Sequence, residues 1–325
     1  MKSVLVTGGA GYIGSHACKA LASAGYVPVT YDNLCRGNAW AVRWGPLEEG
    51  DILDEGRLAA VMTEYGVEGV MHFASFAYVG ESNEQPLLYY NNNVGGMISL
   101  ARAMQQTGVR KIVFSSSCTI FGDQNATSID EGLPLNPISP YGMSKVTCER
   151  IIEDMVKAEG ISAAVLRYFN AAGADPDLDV GEAHDPEPHL IPRILEAAIN
   201  GTVVEIYGDD YPTPDGSCVR DYVHVSDLAT VHVTALESFR DTPEFSPYNL
   251  GTGIGHSVKE VIAAVEKVTG KNVRTVVKPR RPGDPACLIA EPDKVKRVLN
   301  FRHPNSDLEA IIRTASDWLE KGNRS

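Results

Sequence analysis

Three side chains able to handle a proton occur in a pattern that predicts a common site. Tyr141 and Lys145 are four residues apart in a segment with helical character, so both are expected on one helix face. A phenol titrates near pH ~10 and is a weak base at neutrality, but a nearby cation stabilises the phenolate. Ser117, at the end of a preceding β-branched run, adds a hydroxyl. The set predicts deprotonation of a substrate hydroxyl, with a surface Tyr–Lys pair as the alternative.

A glycine-rich turn lies between the first predicted strand and the first predicted helix. In Thr7–Gly14 (TGGAGYIG) the glycines let the backbone approach a pyrophosphate, whose charge faces the N–H groups at the helix start. Asp32 ends the second strand, where it is placed to accept hydrogen bonds from a ribose diol and to repel a 2′-phosphate. This favours NAD over NADP, although Arg36 is close enough in sequence to soften the preference. The alternatives are a tight strand-to-helix turn and, for Asp32, a turn before Asn33.

Two further strand ends carry candidate cofactor contacts. Asp51 and Ile52 follow the strand Leu47–Glu49 and are expected to bind the amino edge of adenine and to pack on its face. A helix N-cap is the alternative for Asp51. Phe73 ends the fourth strand beside His72, at the carboxyl edge where ligands bind in such sheets. Buried packing is the alternative for this pair.

The elements that must position these residues follow a βαβα rhythm in the first half of the chain. Strands are predicted at Val4–Thr7, Val27–Tyr31, Leu47–Glu49, Val70–Phe73, Lys111–Ser115 and Ala163–Tyr168, and helices at Ser15–Ala24, Glu55–Tyr65, Leu87–Thr107 and Ser144–Ala158. The alternation predicts an α/β fold with a doubly wound parallel Rossmann sheet and helices on both faces.

The composition of the loops changes after Asn170, where they become rich in Pro, Gly and Asp. A second, smaller mixed α/β substrate domain is expected there. The predicted boundaries are 1–169 for the NAD-binding domain and 170–325 for the substrate domain. The substrate domain is expected to be discontinuous, because a segment at about 223–248, including the helix Asp227–Phe239, is expected to return to the first sheet.

Composition excludes several classes of protein. The formal net charge of −13 over 325 residues argues against nucleic-acid binding, which needs a basic field. No apolar run approaches the ~20 residues needed to span a bilayer, and the first residues turn to glycine too early for a signal-peptide core, so no membrane association is expected. The six cysteines are scattered without metal-ligand spacing. They are interpreted as reduced thiols of a cytoplasmic protein, and no metal site is expected.

Several longer stretches of the sequence resemble a known family of proteins. The glycine loop, Ser117 and the Tyr141–Lys145 pair resemble the extended short-chain dehydrogenase/reductase superfamily. Several strings narrow this to the UDP-sugar 4-epimerases, above all the UDP-glucose 4-epimerase family. These strings span nearly the whole chain and are Val4–Ser15 (VLVTGGAGYIGS), Val79–Ser82 (VGES), Leu166–Asn170 (LRYFN), Gly208–Gly216 (GDDYPTPDG), Val219–Asp221 (VRD) and Tyr248–Gly251 (YNLG).

The resemblance implies a mechanism. Tyr141 would remove the proton from the sugar 4-hydroxyl as hydride passes from C4 to a tightly bound NAD. Lys145 would hydrogen-bond the nicotinamide ribose and lower the pKa of the phenol, and Ser117 would bridge the hydroxyl and the phenol. The 4-keto sugar would then rotate and take the hydride back on its opposite face, which makes the enzyme an isomerase.

The resemblance also implies two sets of binding residues. The NAD contacts would be Gly8, Gly11, Tyr12, Ile13, Gly14, Asp32, Asn33, Asp51, Ile52, Phe73, Ala74, Asn93, Tyr141, Lys145 and Tyr168. The UDP-sugar contacts would be Ser117, Tyr141, Asn170, Leu190, Tyr207, Arg220, Arg281 and Asp284. For Arg281 the alternative is a solvated basic turn, and for Tyr207 and Leu190 it is core packing.

Three positions depart from the family pattern. Ala77 stands where many members carry a lysine, Phe121 replaces a tyrosine, and Leu288 falls where some members have a bulkier tyrosine. Substrate alternatives are therefore UDP-GlcNAc and UDP-xylose/arabinose. A nucleotide-sugar 4,6-dehydratase is disfavoured because the loop after Ser117 has no carboxylate, and a non-catalytic NAD-binding regulator is disfavoured by the intact Tyr141 and Lys145.

The resemblance further implies a homodimer formed through the helices predicted at Leu87–Thr107 and Ser144–Ala158. Apolar positions on these helices are Leu100, Ile151 and Ile152. Packing within one subunit explains them equally well.

Overall fold

The computed structural model describes residues 1–124, 128–281 and 284–321. The strands are β1 (Ser3–Thr7), β2 (Val27–Asp32), β3 (Leu47–Glu49), β4 (Val67–His72), β5 (Lys111–Ser117), β6 (Ser162–Tyr168), β7 (Asn170–Ala172), β8 (Val203–Tyr207), β9 (Val219–His224), β10 (Phe245–Leu250), β11 (Gly255–Ser257), β12 (Arg274–Lys278) and β13 (Cys287–Leu288). The helices are α1 (Tyr12–Ser23), α2 (Glu55–Glu64), α3 (Val79–Glu84), α4 (Pro86–Tyr89), α5 (Gly96–Thr107), α6 (Pro140–Glu159), α7 (Leu190–Asn200), α8 (Val225–Glu237), α9 (Val258–Thr269), α10 (Asp293–Leu299) and α11 (Leu308–Lys321).

The first of two compact units comprises Met1–Gly122, Pro134–Tyr168 and Leu228–Tyr248. Its seven-stranded sheet has the order β10-β6-β5-β4-β1-β2-β3. The neighbours from β6 to β3 are all parallel, with β1 between β4 and β2. The chain therefore reverses its direction of winding at β1, and the predicted doubly wound parallel sheet is confirmed.

The core of this unit shows why its helices form where they do. Buried residues of α5 recur at helical spacing and pack with α2, α6 and the strands in one apolar cluster, which contains Met97, Leu100 and Met104. Against β4, a Cβ added at Gly69 would lie 3.0 Å from Leu236 of α8, so this helix packs closely on the sheet. The segment after β9 thus returns to the first unit.

The second unit comprises the described residues of Asp123–Leu133, Phe169–Asp227 and Asn249–Ser325. In one sheet β9 pairs with antiparallel β11 and with parallel β13 and β7, and a separate parallel pair joins β8 and β12. Helices α7, α9 and α11 bury their apolar faces in a common cluster. This mixture of strand directions and helices confirms a smaller mixed α/β part.

Two expectations need correction. The segment predicted as a helix at Leu87–Thr107 is helical throughout but not regular: α4 ends at Tyr89, a π-helical turn occupies Tyr90–Gly95, and α5 continues from Gly96. A Cβ at Gly96 would lie 2.7 Å from Ile52, and this close approach is a tertiary contact that the sequence pattern does not reveal. The described residues of Asp123–Leu133 lie in the second unit because the backbone of Ile129 bonds to Ile289 and Glu291.

No helix in the described part of the chain is both long enough and apolar enough to cross a bilayer.

Candidate active site

Helix α6 carries the phenol and the ammonium predicted to act together. It begins at Pro140, and the Ser139 side chain caps it by accepting a hydrogen bond from the Gly142 N–H at 3.1 Å. Tyr141 and Lys145 follow in the first two turns, and both are buried in the helix face that packs on the protein. The spacing therefore places both side chains on one face of the helix, and the face is internal, so the surface-pair alternative is wrong.

Lys145 is held by two residues of the first unit, one that follows β4 and one in β5. Its Nζ donates hydrogen bonds to Ser75 Oγ at 2.9 Å and to the Ser115 carbonyl at 2.8 Å. It also lies 4.9 Å from the centre of the Phe114 ring and 5.8 Å from that of Tyr141. Burial lowers the pKa of the ammonium to about 8, because a charge loses the stabilisation of water. At neutral pH the group still carries most of its charge.

Tyr141 is in a site that by itself keeps the phenol protonated. Burial raises the pKa of Tyr141 to about 12, and a hydrogen bond with Ser117 lowers it in part. Ser117 ends β5, and its Oγ accepts hydrogen bonds from the Thr119 N–H at 3.2 Å and the Thr119 hydroxyl at 3.0 Å. The structure thus brings Ser117, Tyr141 and Lys145 together, but the pKa shows that the protein alone does not supply a phenolate at neutrality.

The glycine loop forms a cradle that tolerates no side chain at two positions. Gly8 has φ +72°, and a Cβ there would lie 2.6 Å from the Ala74 nitrogen. A Cβ at Gly14 would lie 2.2 Å from the Gly8 carbonyl oxygen. Gly11 is the N-cap of α1, with no side-chain cap and no acidic residue in the first turn. The first turn of α1 therefore contributes no carboxylate of its own that would compete with a phosphate.

Asp32 joins this cradle to the end of β2. Its carboxylate accepts hydrogen bonds from the Ala10 N–H at 3.0 Å and the Leu34 N–H at 2.9 Å. Burial raises the pKa of Asp32, and these hydrogen bonds oppose the rise. Arg36, which was weighed as a phosphate contact, pairs instead with Glu81 at 2.7 Å. Because the Arg36 guanidinium is paired with a carboxylate, it is a weaker candidate for binding the 2′-phosphate of NADP.

The next two candidate contacts lie beside Asp32. Asn33 donates to the Asp51 carboxylate at 3.0 Å, and the other Asp51 oxygen accepts from the Leu53 N–H at 2.9 Å. Asp51 is not the N-cap of α2, because Asp54 accepts from the Arg57 N–H and performs that role. Ile52 is almost fully buried in the core against Gly96. Packing therefore accounts for Ile52 without a ligand.

The end of β4 also lies in this unit. The Phe73 N–H donates to the Thr7 carbonyl at 2.8 Å, which places Ala74 directly over Gly8. His72 is fully buried against Thr7, and burial lowers its pKa to about 3, so the ring is neutral. The Phe73 ring lies 4.9 Å from the ring of His232.

Tyr168 ends β6 and completes this row of strand ends. Its hydroxyl hydrogen-bonds His232, whose Nδ1 lies 2.7 Å from the Leu228 carbonyl. Burial raises the pKa of Tyr168, so the phenol is neutral and serves the scaffold through these bonds.

Asn93 lies in the π-helical turn and acts as a brace. Its side-chain oxygen accepts from the Phe76 N–H at 2.9 Å, and its nitrogen donates to the Phe76 carbonyl at 3.1 Å and to Ser144 at 3.0 Å. It thereby connects the segment after β4 to α6.

Tyr12 and Ile13 are half-buried at the start of α1, where the Tyr12 ring meets His16 edge-on at 5.4 Å.

The candidate UDP contacts form a connected group in the second unit. Arg220, on β9, forms an ion pair with Asp284 and also donates to the Val219 carbonyl at 2.8 Å. The Arg281 guanidinium lies 3.8 Å from the centre of the Tyr207 ring. The Asp284 N–H donates to the Arg281 carbonyl at 3.3 Å, which joins the two pairs. Arg281 is exposed, as the solvated-turn alternative expects, but its guanidinium also stacks on an aromatic ring.

Asn170 and Leu190 lie in the same unit. The Asn170 amide donates to the Asp221 carbonyl at 3.0 Å, which fixes the side chain at the start of β7. Leu190 is the first residue of α7 and is only partly buried against the core of this unit. Its exposed part remains available to a ligand.

The sequence analysis missed Asp221, which is fully buried and holds two loops together. Its carboxylate accepts hydrogen bonds from Thr252, Gly253 and Ala290 at 2.7–3.2 Å. A Cβ at Gly251 would lie 2.4 Å from the same carboxylate. The strings at 219–221 and 248–251 are therefore parts of one structural contact, which their separation in sequence concealed.

A second group missed by the sequence analysis supports α6, the helix that carries Tyr141 and Lys145. Glu149, one turn after Lys145, pairs with Arg167 at 2.7 Å and accepts from Ser116 at 2.5 Å, with both charged side chains about 95% buried. The Arg167 guanidinium also lies 5.3 Å from the Phe121 ring. Phe121, a departure from the expected pattern, thus has a packing role against Arg167.

Comparisons with known proteins agree over the full chain. Residues 4–251 match the family described as the NAD dependent epimerase/dehydratase family. A UDP-glucose 4-epimerase of Rhizobium meliloti (strain 1021) is 43% identical over 323 residues, which cover 99% of this chain and 98% of that protein.

Two solved structures also match nearly the full length of the chain. The UDP-glucose 4-epimerase from Brucella ovis in complex with NAD has a TM-score of 0.95 and 49% identity, with 98% of each chain covered. The UDP-glucose 4-epimerase from Stenotrophomonas maltophila with bound NAD and formylated UDP-arabinopyranose has a TM-score of 0.96 and 40% identity, covering 100% of this chain and 99% of that one. The resemblance drawn from the sequence is confirmed, and the chain belongs to the NAD dependent epimerase/dehydratase family.

Proposed function

We propose that this chain is a UDP-sugar 4-epimerase, which interconverts UDP-glucose and UDP-galactose with a tightly bound NAD. The observation that carries the proposal is the grouping of Ser117, Tyr141 and Lys145 beside a glycine cradle on one sheet. The full-length similarity to UDP-glucose 4-epimerases supports the choice of reaction and substrate.

The first unit fits NAD on its own geometry. Glycine at positions 8 and 14 leaves space that a Cβ would fill, and no acidic side chain lies in the first turn of α1. Asp32, at the end of β2, presents a carboxylate whose position suits the hydroxyls of a ribose rather than a 2′-phosphate. We propose that these groups, with Asn33, Asp51, Ile52, Phe73, Ala74 and the other predicted contacts, hold the dinucleotide.

Tyr141 is the proposed base and acid of the cycle. It takes the proton of the sugar 4-hydroxyl and later returns a proton to the same oxygen, while Ser117 holds the hydroxyl against the phenol. A bound NAD would supply the hydride acceptor and donor for C4, with return of the hydride to the opposite face, so that no net oxidation would occur. Burial raises the pKa of Tyr141 to about 12, and the positive charge of a bound oxidised nicotinamide would favour the phenolate and lower that pKa.

The second unit supplies the proposed UDP contacts. Arg220 and Arg281 suit a diphosphate, since a guanidinium donates several charge-assisted hydrogen bonds in a fixed geometry. Asp284 is placed to accept from a ribose diol, and its ion pair with Arg220 orients both side chains beforehand. We propose that Tyr207, Asn170 and Leu190 complete this set.

Assembly and location are proposed on separate grounds. Leu100 and Ile152 are fully buried in the core of their own subunit, so they cannot form an interface. A homodimer would cover three exposed apolar side chains: Leu87 on α4, which is 80% exposed, Ile98 on α5 and Met143 on α6.

All six cysteines are free thiols, which supports a reducing compartment such as the cytoplasm.

The reaction is tested by incubating the purified protein with UDP-galactose and no added NAD, and by measuring UDP-glucose. Conversion is expected because the dinucleotide should copurify with the protein. No conversion, even after NAD is supplied, would remove the proposal. Parallel assays with UDP-GlcNAc, UDP-xylose and UDP-glucuronate define the substrate range.

A further inference from the structure

A cluster of two imidazoles and two carboxylates lies in the second unit, immediately before α7. It is formed by Glu182, His184, Glu187 and His189, which we call the 182–189 cluster. His184 Nδ1 lies 3.1 Å from Glu182 and 3.5 Å from Glu187, and His189 Nδ1 lies 2.5 Å from Glu182 and 3.0 Å from Glu187. Each imidazole nitrogen therefore contacts both carboxylates, and the four donor atoms surround one point.

The burial of the carboxylates requires a compensating positive charge. The side chains of Glu182 and Glu187 are only 7% and 9% exposed. Two carboxylates removed from water at such close range repel each other, and each has lost most of its hydration. Two imidazoles that have each gained a proton would balance this charge, and so would one divalent cation bound by two neutral imidazoles.

The spacing of the donor atoms matches a small tetrahedral metal ion. Zinc bonds to histidine nitrogen and carboxylate oxygen are ~2.0–2.2 Å long, so neighbouring donors of a tetrahedral site lie roughly 3.3 Å apart. The separations between imidazole nitrogen and carboxylate oxygen are 3.0, 3.1 and 3.5 Å for three pairs, close to this value, and 2.5 Å for His189 and Glu182, which would have to move apart when a metal binds. All four donor atoms lie within 4.8 Å of one another.

We propose that the 182–189 cluster is a binding site for a divalent transition metal of the zinc class, with Glu182, His184, Glu187 and His189 as its four ligands. Imidazole nitrogen selects transition metals over calcium and magnesium, which take oxygen ligands. Two carboxylates with two neutral imidazoles exactly offset the charge of a divalent ion. Four protein ligands close the coordination shell, which is the pattern of a structural site.

The surrounding structure holds the ligands in place before a metal arrives. Trp318 of α11 donates its indole N–H to the Glu182 carbonyl at 2.9 Å. A Cβ at Gly181 would lie 2.5 Å from the Trp318 ring, so the loop is pressed against that side chain. His189 is the N-cap residue of α7. A metal ion here would fix the loop to the start of α7, next to Leu190.

The spacing of the cysteines predicted no metal site, but the four residues of the 182–189 cluster include no cysteine. The pattern Glu-x-His-x2-Glu-x-His at 182–189 contains no cysteine, and only the bend of the loop brings all four side chains to one point.

The test uses the full chain, loaded with NAD, purified without a polyhistidine tag and dialysed against EDTA. Titration with Co²⁺ should give one equivalent bound per chain, with the intense visible absorption of a tetrahedral site. Zn²⁺ should displace it, because zinc binds such ligands more tightly than cobalt. Absence of stoichiometric uptake, or only the weak absorption of octahedral Co²⁺, would overturn the proposal without recourse to any variant.

Variants locate the site. His184→Gln and Glu187→Gln should each weaken Co²⁺ binding at least about tenfold. His303→Gln, a half-buried histidine of the same unit outside the cluster, should leave binding unchanged. Cys35→Ser should also bind normally, although Cys35 is the exposed thiol of the chain. Unchanged binding in both cluster variants, or loss of binding in Cys35→Ser, would place the metal elsewhere and contradict the proposal.

Discussion

The Lys145 ammonium lies 5.8 Å from the centre of the Tyr141 ring, and it donates its hydrogen bonds to Ser75 and to the Ser115 carbonyl. Burial nevertheless raises the pKa of Tyr141 to about 12 and lowers that of Lys145 to about 8. At neutral pH the phenol is therefore protonated, while the ammonium keeps most of its charge. A further positive charge is needed to ionise the phenol.

The first prediction concerns the ionisation of Tyr141. Burial disfavours the phenolate and the positive charge of NAD⁺ favours it, so binding of NAD⁺ should lower the pKa of Tyr141 from its value of about 12. The measurement is the tyrosinate absorbance of the wild-type protein minus that of Tyr141→Phe as the pH is raised. NADH, whose nicotinamide ring is uncharged, is the matched control and should shift the titration less. Identical titrations with NAD⁺ and NADH would refute this electrostatic role.

The second prediction concerns the same residue in turnover. Tyr141→Phe should retain NAD but lose roughly 10²–10⁴-fold in kcat, which is the usual contribution of a positioned acid and base. Tyr26→Phe is the control, since the Tyr26 hydroxyl donates a hydrogen bond to the surface residue Glu237 at 3.4 Å, and this variant should turn over normally. Bound NAD and kcat are measured together. Full activity in Tyr141→Phe would exclude the phenol from the mechanism.

The third prediction separates steric exclusion from backbone strain in the glycine loop. Gly8→Ala and Gly25→Ala both place a side chain at positive φ, at +72° and +87°. Only the Cβ at position 8 meets other atoms, whereas nothing lies within 4 Å of a Cβ at position 25. Gly8→Ala should therefore lose NAD on gel filtration, and Gly25→Ala should keep it. Equal NAD content in the two variants would contradict the cradle.

The fourth prediction concerns the buried ion pair behind the catalytic helix. Glu149→Gln leaves the Arg167 guanidinium without its opposite charge at about 95% burial, so the free energy of unfolding should fall by ~3 kcal/mol or more. Glu153→Gln, one turn further along α6, breaks only solvent-exposed pairs with Arg150 and Lys157 and should cost less than ~1 kcal/mol. Urea unfolding measures both. Equal losses would show that the buried pair has no special role.

Much of the first unit was predictable because its signals are local. β-branched runs gave the strands of the parallel sheet, and the four-residue spacing of Tyr141 and Lys145 placed both on one face of α6. The π-helical turn before Gly96 was not predictable from the local pattern, and neither was the close approach of Gly96 to Ile52, which lies 44 positions earlier in the chain. The capping role of Asp54 rather than Asp51 likewise depends on backbone geometry.

The site was predictable in its residue types but less so in its partners. Lys145 was recognised as a cation near the phenol, yet its hydrogen bonds to Ser75 and Ser115 arise from two different strand ends. The Arg220–Asp284 ion pair was missed for the same reason, since each residue was assigned separately to a ligand. Contacts that depend on which segments meet in space require the structure.

The central claim is that a hydroxyl is oxidised only transiently and that the same hydride returns to C4. It is tested most directly with UDP-[4-²H]galactose and the protein as purified, with NAD bound. The account predicts UDP-glucose that retains deuterium at C4, with no accumulation of NADH. UDP-glucose that has lost its deuterium to solvent, a stoichiometric build-up of NADH, or no UDP-glucose at all would contradict it.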